Sequence, residues 1–353
     1  MNLRKENWKG FYNAMPPFVQ RWADVIMYRQ SIPDALSRFL TAEEKADTKL
    51  IHQIKKDLME CRKKYKSEVN EYFLFGFRDL TDKERSKFLT RRVKDKTMQG
   101  IVGFDVFTRE VRNKYNFYQM MQPYFGRDVM LIPKGGGNLD GFKSFANKHP
   151  NLFIKSNSLS KGRGAGLYHI GSESEAEKVY DKLKKTGGDW IVEEKVNQSA
   201  EMAQWNESSV NTVRLPAVLN NGQWTVIGPA FRTGRKGAVV DNASAGGLFA
   251  CIDPTTGILC TDGFDDKHGL YYDKHPDCGI VFKGWQVPHW NELLKLAEKI
   301  HRTVPHHKYI GWDFALTDKG WVLIEGNWGQ FLSQYNDKIG LKKQFFELLG
   351  IKE

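Results

Sequence analysis

The feature that most constrains this chain is a polar hairpin over residues 309–330. Two apolar runs flank the turn-forming residues 317–320, and a run–turn–run pattern predicts two antiparallel strands. Asp313 interrupts the first run, whereas Glu325 and Asn327 end the second. Side chains two residues apart leave the same face of a strand, so Glu325 and Asn327 share a face that Asp313 can join if the strands pair.

Three oxygen-bearing side chains that meet at one point predict a Mg²⁺ site, because Mg²⁺ prefers a few carboxylates and completes its shell with water and phosphate oxygens. A solvent-exposed acidic hairpin is the alternative. We favour the metal site because these polar residues interrupt otherwise apolar strands, where an unpaired charge is costly.

A second polar segment is suited to phosphate. Residues 152–155 resemble a short buried strand that ends in Lys155, and the following loop, residues 156–166, holds three glycines, three serines and two further cations. Backbone N–H groups in such a loop can approach a polyphosphate closely. The spacing is neither a Walker A motif nor a G-x-G-x-x-G turn, and a loop of this composition is more often a flexible connection. The candidate phosphate contacts are Ser160, Gly162 and Gly164.

The segment after this loop predicts a helix and another strand. Residues 174–185 have a helical pattern with a capping box that starts at Ser174. Residues 189–196 begin as an apolar strand and turn charged at Glu193 and Glu194. Strand, loop, helix and strand, with a lysine first and a glutamate pair last, is the arrangement by which ATP-grasp enzymes hold ATP.

Further motifs follow in a fixed order along the chain. They are Val210-Asn211-Thr212-Val213-Arg214, Phe231-Arg232-Thr233-Gly234-Arg235, Asp241-Asn242, Ala245-Gly246-Gly247, His275-Pro276-Asp277-Cys278-Gly279, Gly284 with Pro288, Gly311-Trp312-Asp313 and Glu325-Gly326-Asn327. Together they resemble the sugar-transfer-associated branch of the ATP-grasp superfamily, most strongly over residues 105–335.

The resemblance implies an α+β fold in which two α+β lobes clasp ATP, preceded by a helical N-terminal region. The expected domains are a mostly helical region over residues 1–104, a small lobe with the phosphate loop over residues 105–205, and a large lobe with the metal site and C-terminal helices over residues 206–353.

The nucleotide contacts implied by the resemblance come from both lobes. Asn113-Lys114-Tyr115 resembles an Asp-Lys element, with Asn in place of Asp, which makes Lys114 the first phosphate-binding lysine and Lys155 the second. The segment expected to meet adenine contains Glu193, Glu194 and Val196, the last two acting through backbone atoms. The ribose contact is left open between Gln198 and Glu201.

The resemblance also implies which residues bind the metal and which arginines stabilise the reacting groups. Asp313, Glu325 and Asn327 match the ligands of Mg²⁺, with Mn²⁺ as a substitute ion. Three arginines are candidates for stabilising the γ-phosphate, an incoming carboxylate or an acyl-phosphate, and Arg214 and Arg232 are preferred without a ranking between them. The candidates are Arg214, Arg232 and Arg235.

The function implied by the resemblance is an ATP-dependent carboxylate–amine ligase that forms an acyl-phosphate and releases ADP and phosphate. The family name connects it with a cell-surface polysaccharide precursor or a related sugar or amino-acid substrate, although a fold does not determine a substrate. Two alternatives stay open: an ATP-dependent sugar kinase, and a peptide-modifying ligase that uses a carrier peptide or tRNA. The intact set of Lys155, Asp313, Glu325 and Asn327 argues against an inactive scaffold.

Charge and composition restrict the partners and the compartment. The net charge of +11 favours anions beyond ATP, such as an acidic glycan precursor, a nucleotide sugar or an anionic membrane surface, while nucleic acid other than tRNA is disfavoured. No apolar run is long enough for a transmembrane helix, and four scattered cysteines show no disulfide pattern. We therefore expect a cytoplasmic protein. The sequence does not indicate an oligomeric state.

Several local patterns complete the predictions. Capping boxes at Thr41 and Thr81 predict two N-terminal helices, the second running to Leu89. The glycine run at residues 134–137 is expected to link two lobes. His275 is assigned to the acceptor pocket by the resemblance. Two histidine-containing clusters could suggest a metal site, but they lack zinc-finger spacing, and a surface or substrate-loop role is favoured for both. They are His275 with Asp277 and Cys278, and His306-His307.

Overall fold

The computed structural model describes residues 16–157, 164–241 and 246–352. Contacts divide the chain into two compact units, Met1–Ser86 with Thr90–Val93, and Lys87–Leu89 with Lys94–Glu353. The predicted boundaries near residues 104 and 205 stay predictions.

The first unit is helical in its described part. Pro17 stands at the first position of α1, where its missing N–H is not needed. Capping boxes at Thr41 and Thr81 are confirmed, although the helix that begins after Thr81 ends at Arg85 rather than at Leu89. The helices are α1 Pro17–Phe39, α2 Ala42–Ala46, α3 Thr48–Tyr65, α4 Val69–Leu74 and α5 Asp82–Arg85, with a 3₁₀ turn at Phe77–Asp79.

A half-buried carboxylate, that of Asp57, joins elements of this first unit. Asp57 on α3 accepts two hydrogen bonds of 2.8 Å from Arg85 and one of 2.8 Å from the hydroxyl of Tyr72. On the same helix, the backbone carbonyl of Leu58 accepts a 2.9 Å bond from Tyr28 of α1. These contacts connect α1, α3, α4 and α5.

The second unit is entered within α6 and continues through short helical segments. One of them is a π-helical turn, which is a rare conformation that often marks functional sites. The segments are α6 Arg91–Val102, α7 Phe104–Phe107, the π-helical turn Thr108–Arg112, α8 Lys114–Met121 and a 3₁₀ turn at Gln122–Tyr124.

A four-stranded antiparallel sheet, here called the small sheet, follows in the order β1-β4-β2-β3. Two helices pack on one of its faces through a core that includes Phe142, Leu152, Ile154, Tyr180 and Val192. The elements are β1 Val129–Ile132, α9 Leu139–Lys148, β2 Asn151–Ser156, β3 Gly166–His169, α10 Glu173–Thr186 and β4 Trp190–Glu194.

Two predictions in this region were wrong. The helix α10 is capped by Ser172, whose side chain accepts a 3.3 Å bond from the N–H of Glu175, so the cap lies two residues before Ser174. The glycine run lies between β1 and α9 inside the small-sheet region, and the N–H of Gly137 donates to Tyr180 at 2.5 Å. It therefore forms part of one packed layer instead of a connection between lobes.

An eight-stranded antiparallel sheet, the large sheet, has the order β10-β9-β8-β7-β5-β11-β12, with β6 paired to β5. Its strands are β5 Thr212–Asn220, β6 Gln223–Val226, β7 Ala230–Thr233, β8 Leu248–Cys251, β9 Gly263–Asp265, β10 Leu270–Tyr272, β11 Tyr309–Thr317 and β12 Gly320–Asn327. The accompanying helices are α11 Ala200–Ala203, α12 Trp290–His301, α13 Ser333–Asn336 and α14 Lys342–Leu349.

The structure confirms the predicted α+β class with a helical N-terminal region. The last helix ends before Gly350, because Gly350 adopts the left-handed conformation with φ of +71°. Within the described residues, no helix combines the length and apolar character needed to cross a bilayer.

Candidate functional site

The predicted hairpin forms, but a β-bulge decides which side chains share a face. Pairing runs regularly from Thr317 opposite Gly320 to Phe314 opposite Leu323, and then shifts so that Asp313 lies opposite Glu325. If the regular register continued without the bulge, Asp313 would oppose Ile324, and Glu325 would lie on the other face of the sheet. The bulge therefore brings Glu325 into register with Asp313.

Strand pairing then extends this row of charges across the sheet. Asp313 on β11 lies opposite Arg214 on β5 as well as opposite Glu325 on β12. On β7, Arg232 pairs with Thr212, two residues before Arg214, and so shares the same face. The predicted Arg214, Arg232, Asp313, Glu325 and Asn327 are thus brought together on one face of the large sheet.

Asp313 is the centre of this row. It is fully buried and accepts two bonds of 2.6 Å from Arg214, a fork geometry that is strong for a charge pair. Arg232 approaches the same carboxylate at 3.4 Å. Burial alone would raise the pKa of Asp313, but the charges of Arg214 and Arg232 hold it below its ordinary value. The carboxylate is therefore ionised at neutral pH.

Arg232 is itself held by two residues to which the sequence assigned no role. Its Nε donates to the Thr212 hydroxyl at 3.0 Å, and its Nη2 donates to Asp241 at 3.2 Å. The Thr212 hydroxyl also donates to the other oxygen of Asp241. Burial raises the pKa of Asp241, with the Arg232 charge opposing that effect. These contacts fix the guanidinium beside Asp313, and only the motif around Asp241 pointed to this segment.

The donor set matches a hard cation such as Mg²⁺. The Oδ2 atom of Asp313 is surrounded by Arg214, Arg232 and the amide of Asn327 at 3.4 Å, whereas Oδ1 is bonded only to Arg214 among the described contacts. A carboxylate offers about four lone-pair positions, so Oδ1 retains one for a metal. Glu325 lies within hydrogen-bonding range of Asp313 and adds a second carboxyl group. Two neighbouring carboxyl groups are ligands of the kind that Mg²⁺ prefers. The Asn327 Oδ1 atom accepts a 2.6 Å bond from the N–H of Gly329, and its amide nitrogen faces Asp313.

The small sheet contributes a second buried carboxylate, Glu193. Lys155 approaches it at 2.5 Å and Arg127 at 2.8 Å, and all three side chains are nearly or fully buried. Burial alone would raise the pKa of Glu193, but the charges of Arg127 and Lys155 lower it. Lys155 and Glu193, which the sequence assigned to phosphate and to the adenine segment, thus form an ion pair with each other, and their nucleotide roles stay predictions.

Arg127 was missed at the sequence level and connects the two sheets. Its Nη1 donates to the carbonyl of Leu323 at 2.8 Å, and its Nη2 lies 3.4 Å from the carbonyl of Ile324, the bulge residue. Its Nε holds Glu193 of the small sheet. One guanidinium thus joins the Glu193 carboxylate to the bulge that orients Glu325. A single arginine between two short elements carries no periodic signal that could have indicated this role.

Lys114 is the first residue of α8 and lies within the electrostatic influence of the Glu325 and Glu193 carboxylates. Burial lowers the pKa of Lys114; the charge of Glu325 opposes this shift, and the neighbouring Lys155 adds to it. The preceding Asn113 caps the helix by accepting from the N–H of Asn116 at 3.0 Å. The predicted role of Lys114 in phosphate binding stays a prediction.

The remaining nucleotide candidates are placed less directly. The Gln198 Nε2 atom donates to the carbonyls of Asn206 and Ser209, and its Oε1 atom accepts from the backbone and side-chain nitrogens of Asn211. The Gln198 amide is therefore not available to bind a ribose. Glu194 accepts from the N–H of Asp128 at 3.2 Å, and Val196 is half-buried. Gly164 has a left-handed φ of +75°. Ser160 and Gly162 lie outside the described residues.

Arg235 is separated from the row that contains Asp313. It forms a two-bond pair with Asp277 at 2.8 and 3.0 Å and is partly exposed. His275 is buried and its Nε2 contacts the carbonyl of Gly234 at 3.0 Å. Neither residue has a described contact with Arg214, Arg232 or Asp313, so their predicted roles stay predictions.

Solved structures similar to this chain are distant. The D-alanyl-alanine synthetase A of Vibrio cholerae is 12% identical with a TM-score of 0.38, and the alignment covers 63% of this chain and 56% of that one. The D-alanine–D-alanine ligase of Bacillus anthracis complexed with ATP is 11% identical with a TM-score of 0.39, and 66% and 60% are covered. The N5-carboxyaminoimidazole synthase of Aspergillus clavatus, in complex with ADP and 5-aminoimidazole ribonucleotide, is 10% identical with a TM-score of 0.43 and coverage of 69% and 53%.

The chain spans a little over half the length of the first of these structures, and similarity at this level does not indicate a shared substrate. No curated protein matches the chain in sequence. The sequence profile of the sugar-transfer-associated ATP-grasp family, in contrast, matches residues 129–345, which is more than half of the chain and includes both sheets. This chain belongs to the sugar-transfer-associated ATP-grasp family.

Proposed function

We propose that this chain is an ATP-dependent ligase that activates a carboxylate as an acyl-phosphate and joins it to an amine. The observation that carries the proposal is the row formed by Arg214, Asp313 and Glu325, with Arg232 and Asn327 on the same face. Oxygen ligands for a cation and fixed guanidinium groups for anions meet there, which is what a reaction between a polyphosphate and a carboxylate requires.

The nucleotide phosphates would be held by Lys114 and Lys155, with the adenine near Glu193 and its neighbours. Asp313, Glu325 and Asn327 would hold Mg²⁺, which when bound neutralises charge on the phosphate oxygens. The charges of Glu325 and Glu193 both act on Lys114, and Lys155 forms an ion pair with Glu193. This placement supports a triphosphate that extends from the small sheet toward the large sheet.

The proposed reaction has two steps. An oxygen of the substrate carboxylate attacks the γ-phosphorus, the bond to the β-phosphate oxygen breaks, and ADP leaves. The amine nitrogen then attacks the acyl carbon, the carbon–oxygen bond to phosphate breaks, and the amine loses a proton. Arg214 and Arg232 stabilise the negative charge that develops in both steps, because they are fixed before the substrate arrives.

We further propose that the substrates include an anionic sugar derivative or an amino acid from a cell-surface polysaccharide precursor, and that the reaction occurs in the cytoplasm. The family name supports the connection with sugars, and the net charge of +11 favours an anionic substrate.

The test is to incubate the protein with Mg·ATP, candidate carboxylates and hydroxylamine. Hydroxylamine attacks an acyl-phosphate, so a ligase forms a hydroxamate and releases ADP without the natural amine. The variant Arg214→Lys should lose hydroxamate formation, whereas Arg235→Lys should retain it. A phosphorylated sugar that does not react with hydroxylamine would contradict the ligase proposal and identify a kinase.

A further inference from the structure

Two histidines and a glutamate meet away from the row that contains Asp313. His306 and His307 lie between α12 and β11, and Glu110 lies in the π-helical turn Thr108–Arg112 that precedes α8. The Nε2 atom of His306 is 2.7 Å from Glu110 Oε2, and that of His307 is 3.1 Å from the same oxygen. The three ligand atoms lie within 4.8 Å of one another.

This spacing is close to that of ligand atoms on a small metal ion. In a tetrahedral Zn²⁺ site with bonds of about 2.0–2.1 Å, ligand atoms lie roughly 3.3 Å apart. The two rings pack with centroids 4.4 Å apart, so both Nε2 atoms point to one side. Arg109 contacts the other carboxylate oxygen, Oε1, at 2.9 Å, which leaves Oε2 to the histidines.

A second cluster of similar composition, Asp128, His149 and Glu194, has a lysine ammonium group on its shared carboxylate oxygen. His149 Nε2 contacts Asp128 Oδ2 at 2.8 Å, but Lys148 Nζ contacts the same oxygen at 2.6 Å. The third member, Glu194, already accepts from the N–H of Asp128 at 3.2 Å. An ammonium group on the shared oxygen occupies the position that a cation needs, so this cluster serves as an internal control.

We propose that Glu110, His306 and His307 form a binding site for a divalent transition metal of the zinc class. Glu110 Oε2 and the two Nε2 atoms are the protein ligands, and water completes the shell. The metal joins the π-helical turn to the segment before β11. Because this turn leads directly into α8, the metal also steadies the helix that begins with Lys114. The site is independent of the proposed ligase activity.

The test uses the full chain stripped with a chelator and then titrated with Co²⁺ in excess Mg²⁺, which fills hard oxygen sites. Visible Co²⁺ absorption reports coordination by nitrogen and oxygen, and calorimetry with Zn²⁺ measures affinity. We compare the wild type with His306→Gln, chosen because its side chain is half-exposed, and with Glu110→Gln. His149→Gln is the matched control, and Glu325→Gln with Asn327→Ala removes two of the three proposed oxygen ligands of the large sheet.

We expect one equivalent of metal to bind to the wild type. His306→Gln and Glu110→Gln should each lower the affinity at least about 100-fold, because removing a ligand weakens binding more than removing a residue that only supports a ligand. Binding should persist in His149→Gln and in the large-sheet variant. No stoichiometric binding by wild type, or equal binding by His306→Gln with unchanged circular dichroism, would overturn the proposal.

Discussion

Two buried carboxylates of the second unit, Glu193 and Asp313, are built in similar ways but differ in what surrounds them. Each is held by two cations: Arg127 and Lys155 for Glu193, Arg214 and Arg232 for Asp313. Glu193 is joined through Arg127 to backbone carbonyls of β12. Asp313 instead has a second carboxyl group and an amide beside it.

The difference separates a connecting role from a binding role. Around Glu193, the guanidinium of Arg127 is used on both sides by protein groups, so this carboxylate holds two sheets together. Around Asp313, more oxygen lone pairs are present than the protein's own hydrogen bonds use, because Oδ1 keeps an open lone pair and Glu325 is adjacent. We therefore expect changes at Arg127 to act mainly on stability and changes at Glu325 to act mainly on ligand binding.

The largest expected effect on stability follows replacement of Arg127. The variant Arg127→Met keeps much of the volume but leaves Glu193 with only Lys155 and removes the donors to Leu323 and Ile324. Breaking a buried ion pair by removing one partner costs about 3–5 kcal/mol. Urea denaturation should show a decrease of that size in the free energy of unfolding.

The control for this effect is the partly exposed pair Arg235–Asp277, which has a similar two-bond geometry. The variant Arg235→Met should lose about 1 kcal/mol or less, because water compensates the lost contact. Equal losses in Arg127→Met and Arg235→Met would show that Arg127 does not connect the sheets.

A smaller effect is expected from acid on the opposite face of the large sheet. His301 is buried, donates from Nε2 to the carbonyl of His307 at 2.8 Å, and accepts at Nδ1 from Trp224 at 3.2 Å. Burial lowers the pKa of His301 to about 4. Because the unfolded chain binds this proton near pH 6.5, the stabilisation is complete above that pH and is lost as the pH falls toward 4, by about 3 kcal/mol in total.

The measurement is the free energy of unfolding between pH 7 and 4.5 for the wild type and for His301→Gln, and the difference between the curves reports His301. The difference is needed because burial raises the pKa of Glu71 to about 7, and that group changes stability in the opposite direction over this range. Parallel curves would contradict a neutral, buried His301.

The smallest expected effect on stability tests which serine caps the N-terminus of α10. The variant Ser172→Ala should lower the free energy of unfolding by about 1 kcal/mol, because it removes the acceptor for the N–H of Glu175. The matched variant Ser174→Ala lies inside α10 and should be neutral or slightly stabilising. Thermal unfolding of both variants distinguishes the two positions, and a larger loss in Ser174→Ala would place the cap where the sequence pattern suggested.

The hairpin part of the large-sheet row was predictable because Asp313, Glu325 and Asn327 lie close together in sequence. The turn at residues 317–320 indicated the hairpin, and the spacing of Glu325 and Asn327 indicated a shared face. Alternation alone would have placed Asp313 on the other face, since the bulge at Ile324 has no clear sequence signal. The oxygen set was thus predicted, while the feature that assembles it was not.

The contacts of Arg127 and Asp241 were beyond sequence reasoning. Arg127 meets Leu323 across 196 residues, and Asp241 meets Thr212 across 29 residues and several strands. Such contacts depend on the strand order and register, which local periodicity does not specify. The cap at Ser172 failed for a different reason, because Ser172 and Ser174 both precede acidic residues and offer similar local patterns.

The central claim is that the oxygen groups beside Asp313 bind Mg²⁺ with ATP, and calorimetric titration tests it most directly. ATP is titrated with and without Mg²⁺ into the wild type, Glu325→Gln and the exposed control Glu298→Gln. We predict Mg²⁺-dependent ATP binding by the wild type and the control, and a loss of at least about 100-fold in Glu325→Gln, which removes a proposed ligand. Equal Mg²⁺-dependent binding by well-folded Glu325→Gln, or no ATP binding by the wild type, would contradict the account.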